Sequence, residues 1–283
     1  ASIRFKHFKK TYDENILDIK GGLNDVVMNN SPIDIDKLIE GTNEILTANR
    51  NSLQLFDMLH SMRQFDDLTY VHSVNVALIA SILGQWLKFS EKDIRILTIS
   101  GLLHDIGKIM IPNEILTKPG KLTVAEYNIM KQHVNFGYEK VKNQNIDIRI
   151  KEACLLHHEK CDGTGYPFGL KSDHIPAVAK IIAIADVYDA MTSARVYRGA
   201  LCPFEVIDTM YKDAFTKFEP EYILPFLKNV ASSYINNDVR LSDGRIGKVV
   251  LINENALSLP IVQCEDEFID LSKTRGLTVS AIL

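Results

Sequence analysis

The feature that most constrains this chain is a spaced series of histidines and carboxylates between positions 72 and 186. It reads His72, His104-Asp105, His133, His157-His158-Glu159 and Asp186. Five of the eight histidines in the 283-residue chain belong to it, so a fold that uses the series must gather residues from well-separated segments. Imidazole and carboxylate together suit a transition metal such as iron, manganese or zinc. Two adjacent pairs (His104-Asp105 and His157-His158) and three single ligands are too many for one ion. They are about right for two ions that share one carboxylate, and such a site points to phosphoester hydrolysis.

Composition narrows the function classes. Hydrophobic residues make up 46% and charged residues 24%, as in an ordinary globular protein. A formal net charge of -4 argues against gripping a long nucleic acid by phosphate neutralisation, and leaves room for a small anionic substrate held locally. Cys154, Cys161, Cys202 and Cys264 lack CxxC spacing, which predicts free thiols in a reducing cytoplasm. No apolar run approaches the roughly 20 residues of a membrane span, and no signal peptide is visible. The sequence starts at Ala1, which is compatible with an upstream sensor or signalling domain outside it.

Residue patterning predicts a mainly α protein. Ile35, Leu38, Ile39, Leu53, Phe56 and Leu59 have helical spacing. A helix with a small-residue face is predicted from Thr69 to Leu87. Ser90 is the expected N-cap of the helix that runs into His104-Asp105. Residues 111–120, with two prolines, read as a loop or short turns. Thr123 and Glu126 offer a capping box for a helix carrying Met130 and His133. A further helix from Ile148 is expected to carry His157-His158. Residues 162–169 cannot be regular structure, because glycines and a proline break it. The apolar run from Ala177 to Met191 predicts a buried helix. After about Asn236 four short β-prone runs follow, with Asp243-Gly244 as a hairpin signal. The expected organisation is an N-terminal helical segment (1–50), a helical body (51–236) and a small β appendage (237–283).

Asp105 is the natural bridging ligand, since a carboxylate has two oxygens and an imidazole one lone pair. Adjacent helical residues point about 100° apart, so His104 and Asp105 can serve different ions. Asp186 lies in a run so apolar that its carboxylate must be paired or bound to metal. Any one of these residues alone is more often a packing or surface group, as His7, His60 and His174 are expected to be. Their joint occurrence, in order, is what carries the reading.

His104-Asp105-Ile106-Gly107-Lys108 resembles the signature of HD metal-dependent phosphohydrolases. His157-His158-Glu159, followed by Asp162-Gly163-Thr164-Gly165-Tyr166-Pro167, resembles the extended signature of the HD-GYP subfamily. The resemblance covers about Asp66 to Phe218. It implies a helical HD-type bundle of the kind that hydrolyses cyclic di-GMP to the linear dinucleotide and often on to GMP. It implies one metal on His72, His104, Asp105 and Asp186, and a second on Asp105, His133, His157 and His158. Iron or manganese is expected, and zinc also fits the ligand types. By the same resemblance Lys108 contacts the scissile phosphate, and Tyr166, Arg195 and Arg198 line the substrate site. Asp66 and Asp189 are expected near a guanine or a ligand histidine.

Two departures from the family pattern stand out. Leu68 occupies the position where some members place a third-metal glutamate, which predicts two metals. Ala194 stands where an aspartate is common, which bears on the orientation of Arg195. The competing readings are a catalytically weak cyclic-dinucleotide receptor and a hydrolase of another cyclic dinucleotide. A homodimer is compatible with the sequence.

Overall fold

The computed structural model describes residues 3–49, 52–62, 68–193 and 200–283. Two helices form its centre, α4 (Leu68–Trp86) and α5 (Glu91–Leu103). From His72 to Gly84 every residue of α4 is buried, the pattern of a helix enclosed on all sides rather than one with a single apolar stripe. Its small residues allow α5 to approach closely. At the crossing the buried Ser81 Oγ and Thr98 Oγ1 hydrogen-bond at 2.7 Å. Ser90 caps α5 by accepting from the Asp93 amide at 3.2 Å, as its sequence predicts.

The other helices pack around this pair. α1 (Ile3–Asn29) and α2 (Ile35–Ala48) lie on one side, joined to each other by Asn15 Nδ2 donating to Thr42 Oγ1 at 3.0 Å. α3 (Ser52–Met62), α10 (Ala177–Thr192) and α12 (Pro220–Ser233) close another side. There Phe56, Trp86, Tyr188 and Phe226 form an aromatic cluster with centroids 5.2–6.2 Å apart. Each such buried side chain contributes roughly 1.5–3 kcal/mol of apolar burial. α11 (Pro203–Asp213) follows residues 194–199, which lie outside the described part of the chain.

Residues 106–156 build the floor of the site. A 3₁₀ turn (Ile106–Met110) and α6 (Asn113–Leu116) lead to α7 (Val124–Met130), α8 (His133–Val141) and α9 (Ile148–Leu156). Thr123 and Glu126 form both bonds of the expected capping box. One expectation needs correction. Met130 and His133 do not share a helix, because α7 stops at Met130 and α8 starts at His133 after a turn. The break reorients α8 so that its first residue faces inward. α8 then packs on the 3₁₀ turn with almost no space between the backbones.

The C-terminal strands are β1 (Asp238–Leu241), β2 (Ile246–Leu251), β3 (Ile261–Cys264), β4 (Glu267–Asp270) and β5 (Val279–Ile282). They form one antiparallel sheet in the order β4-β3-β2-β1-β5. Asp243-Gly244 makes the β1–β2 turn, with Gly244 at φ 92°. Patterning identified four of these strands and missed β5, whose short run Val279-Ser280-Ala281-Ile282 pairs with β1 at long range. Val239, Leu241, Val249, Val262 and Val279 point inward and join the same continuous core as Phe8 in α1 and Leu78 in α4. One core therefore runs across both expected boundaries, near residues 50 and 236. Among the described residues no helix is long and apolar enough to cross a membrane.

Gly107 shows how tight the floor is. A Cβ there would lie 1.9 Å from the His133 carbonyl oxygen and 2.4 Å from the Gly137 nitrogen, both backbone atoms. Gly21, exposed on α1, would meet nothing within 4 Å. Gly107→Ala should therefore lower the free energy of unfolding in urea by about 1–3 kcal/mol. Gly21→Ala should leave it unchanged or raise it by up to about 1 kcal/mol. Equal effects at the two positions would contradict the packing.

Candidate metal centre

The histidines and aspartates of the series converge from five elements. α4 supplies His72 and α10 supplies Asp186, both from within buried helices. His104 and His157 are C-caps, where α5 and α9 end, and His133 opens α8. His104 and Asp105 were expected as neighbours on one helix. Instead the α-helix ends between them, with Asp105 at φ -103° and ψ 12°. The divergence of the two side chains thus comes from the helix end rather than from helical rotation alone.

Asp105, 2% exposed, is at the middle. Its Oδ1 lies 3.3 Å from His133 Nε2 and 3.7 Å from His157 Nε2. Its Oδ2 lies 3.3 Å from His104 Nε2 and 3.5 Å from His72 Nε2. Asp186 Oδ1 is 3.0 Å from His72 Nε2, and its Oδ2 is 3.7 Å from His158 Nδ1. Two donor groups result. One contains Asp105, His133, His157 and His158; the other contains His72, His104 and Asp186. Within each group the donor atoms lie within 4.8 Å of one another.

The outer ring nitrogens fix which atoms face inward. His104, His133 and His157 donate from Nδ1 to the carbonyls of Gly101, Met130 and Ala153 at 2.7, 2.8 and 2.9 Å. His72 Nδ1 donates to Asp189 Oδ2 at 2.7 Å. In His104, His133 and His157 the bond selects the tautomer whose Nε2 lone pair points to the centre, and in His72 it turns Nε2 the same way. His72 Nε2, His104 Nε2 and Asp105 Oδ1 are buried without a hydrogen-bond partner among the described residues, although carboxylate oxygens lie near both nitrogens. Inward lone pairs left unpaired in a buried pocket are what a cation would satisfy, so the donor set fits divalent metal.

The electrostatics agree. Burial keeps His104 and His158 below the ordinary imidazole range and pushes His133 down to about 3, so these rings are neutral donors. Burial also acts to raise Asp105 and Asp186. Lys108 and His104 around Asp105, and His72 and His158 around Asp186, nevertheless hold both carboxyls well below the usual carboxylate range. At His72 burial acts downward, but the carboxylates of Asp186 and Asp189 outweigh it and raise the ring to about 9.

The residues expected around the substrate divide into three groups. Lys108 Nζ lies 2.5 Å from Asp105 Oδ2, and its side chain is 20% exposed at the edge of the cluster. Tyr166 stacks on the His158 ring at 4.7 Å and 26°, with Lys131 Nζ 6.0 Å from its centroid. Asp189 is 1% exposed and sits beside His72, the second of its two expected places. Asp66, Ala194, Arg195 and Arg198 lie outside the described residues.

Glu159, part of the original series, belongs elsewhere. Its buried carboxylate accepts from the amides of Phe168, Gly169 and Leu170 at 2.7, 3.2 and 2.8 Å. It thereby holds the loop that presents Tyr166. Gly165 is fixed in the same loop, since a Cβ there would lie 2.4 Å from the Lys160 nitrogen. Sequence reasoning also missed Asn75, whose Nδ2 donates to Asp189 Oδ1 at 2.9 Å. A buried asparagine three residues after His72 was the only available signal.

Comparison with known proteins agrees with this geometry. A family model described as the HD domain matches residues 40–222. Cyclic di-GMP phosphodiesterase PA4108 of Pseudomonas aeruginosa is 36% identical over 203 residues, 71% of this chain and 49% of that protein. The cyclic di-GMP phosphodiesterase response regulator RpfG of Xanthomonas campestris pv. campestris is 36% identical over 197 residues, 69% of this chain and 52% of that protein. 3'3'-cGAMP-specific phosphodiesterase 2 of Vibrio cholerae is 30% identical over 216 residues, 75% of this chain and 40% of that protein. The chain thus spans about half the length of the curated relatives it matches. The solved structure of Bd1817, an HDG"Y"P protein from Bdellovibrio bacteriovorus, shares the fold, with a TM-score of 0.60 and 18% identity over 80% of this chain and 72% of that one. With the family model covering well over half of its residues, and with the tight loop around Tyr166 in place, the chain belongs to the HD domain family, in its HD-GYP branch.

Proposed function

We propose that this protein is a metal-dependent phosphodiesterase that opens cyclic di-GMP to its linear dinucleotide. The observation that carries the proposal is Asp105, whose two oxygens face two separate groups of imidazole donors. His72, His104, Asp105 and Asp186 would hold one divalent ion, and Asp105, His133, His157 and His158 the other. Iron and manganese suit this nitrogen-rich set best, and zinc also fits it. Bound there, the ions supply an acidified water and neutralise charge on the phosphate. The chain's own groups do the remainder. Backbone carbonyls keep His104, His133 and His157 oriented with no reorganisation during reaction. Lys108, partly buried at the edge, offsets charge on a non-bridging phosphate oxygen. Tyr166, with Arg195 and Arg198, is assigned to the substrate, and Asp66 to a guanine or a ligand histidine. Residues 237–283 are assigned no catalytic part, since none of the centre's residues falls there, and residues 51–236 the whole of the chemistry.

The names of the relatives support a cyclic dinucleotide, and the cGAMP-specific ones make cGAMP the second substrate reading. The test is anaerobic purification with metal analysis, followed by single-turnover assay of cyclic di-GMP and 3'3'-cGAMP with protein in excess. Linear pGpG is the expected product. Stoichiometric binding without linear product over hours would favour a receptor instead.

Asp105→Ala should abolish hydrolysis and lower metal content, because it removes the shared ligand. Lys108→Ala should keep its metal and lose about 10²–10³-fold in rate, the range for one transition-state charge partner. Metal loss in Lys108→Ala with its fold intact, read by elemental analysis, would overturn that role.

His72 gives a pH dependence with a definite sign. Its folded-state value, about 9, lies above its ordinary 6.5. Between these values the folded metal-free protein holds a proton that the unfolded chain has lost. This contribution to stability is therefore complete below pH 6.5 and is lost as pH rises toward 9. Manganese binding at pH 7 should in turn release about one proton from His72. Calorimetric titration in two buffers of different ionisation enthalpy measures that release. Zero net release would contradict the protonated state of His72.

A further inference from the structure

We infer that Tyr12 on α1 is a positioning residue for the metal centre, acting through Asn75 and Asp189 on His72. The inference rests on the reading of His72 as a metal ligand. Four side chains form an unbroken chain of hydrogen bonds. Tyr12 Oη donates to Asn75 Oδ1 at 2.5 Å, and Asn75 Nδ2 donates to Asp189 Oδ1 at 2.9 Å. Asp189 Oδ2 accepts from His72 Nδ1 at 2.7 Å. Tyr12 and Asn75 are each 2% exposed, Asp189 is 1% exposed, and His72 is 8% exposed.

The direction of each bond matters. A tyrosine hydroxyl that donates to the Asn75 carbonyl leaves the amide NH₂ facing Asp189, the only orientation in which asparagine can donate to a carboxylate. Asp189, with one oxygen so occupied, presents the other to His72 Nδ1. That bond keeps His72 Nε2 turned to the centre. The bond to Tyr12 therefore helps hold the orientation of a ligand ring on another helix.

Tyr12 lies outside the stretch matched by the family model, which starts at residue 40. The rest of α1 is held in place independently. Lys140 Nζ donates to the Val27 carbonyl at 2.8 Å, and Asn15 bonds Thr42 at 3.0 Å. α1 is thus anchored at its middle and near its C-terminal end, and its buried tyrosine points at the support of His72. The effect should fall on the ion held by His72, His104 and Asp186, since no link of this chain reaches His133, His157 or His158.

The test uses manganese(II) alone as the probe, titrated into the metal-free 283-residue chain by calorimetry. Tyr12→Phe keeps the ring and removes the donor. Asn75→Leu removes the next link while leaving α1 whole. Asn15→Ala breaks a buried hydrogen bond on the same helix that leads nowhere near the centre. Loss of an outer partner of a metal-ligating histidine costs about 10–100-fold in affinity, so Asn75→Leu should weaken one of two manganese-binding steps by about tenfold. Tyr12→Phe, one bond further out, should weaken the same step by about threefold. The double variant should match Asn75→Leu, and Asn15→Ala should bind like the wild type. Wild-type binding in Tyr12→Phe, equal weakening of both steps, or additive effects in the double variant would overturn the inference. If Tyr12→Phe does not fold, Asn75→Leu decides in its place, and unchanged manganese steps there overturn it. A wild-type chain that binds no manganese would instead refute the metal reading, and this inference with it.

Discussion

The structure depends on one buried carboxylate. Asp105 is ionised and almost wholly enclosed, with imidazoles facing both of its oxygens and one ammonium at its edge. An enclosed charge of this kind is costly unless it is compensated from several directions. Within the protein the positive charge comes from Lys108 and from His72 on α4, and the rings at the ends of α5 and α9 and the start of α8 turn Nε2 to where a cation would supply the rest. The bundle is organised around the centre as much as around its hydrophobic core.

Helix ends solve the orientation problem. His104 and His157 sit where helices finish, and His133 sits beside the end of α7. Each ring nitrogen then finds a main-chain carbonyl three or four residues back. Carbonyls near helix ends are short of intrahelical partners, and the Ala153 carbonyl, which also accepts from the His157 amide, has a second lone pair for the ring. His72, placed within a helix whose carbonyls are already engaged, needs a side chain instead and takes Asp189. The difference explains why His72 is held by a side chain and His104, His133 and His157 by the main chain.

Much of this was legible in the sequence, because histidine is scarce and its spacing stood out. The helical body, the capping groups at Ser90 and Thr123, the buried helix around Asp186 and the Asp243-Gly244 turn follow from local patterns. What escaped depends on long-range placement. β5 is four ordinary residues that become a strand only beside β1. The turn between Met130 and His133 carries no glycine or proline to announce it. Glu159 stands beside two histidines with no role assigned to it by its spacing, and only the fold shows its carboxylate turned toward three amides. Tyr12 and Asn75 are common residue types far apart in the chain, so no spacing rule joins them.

The grip of Glu159 on residues 168–170 has a consequence for how such a protein can diversify. The anchor is the residue immediately after His157-His158, so the loop's path and the placement of two imidazoles are mechanically one object. Rerouting the loop to admit a differently shaped molecule would drag coordination with it. Variation in preference is thereby channelled into side chains that decorate a fixed wall, such as position 166 and its neighbour Lys131. The wall itself is inherited together with the reactive centre.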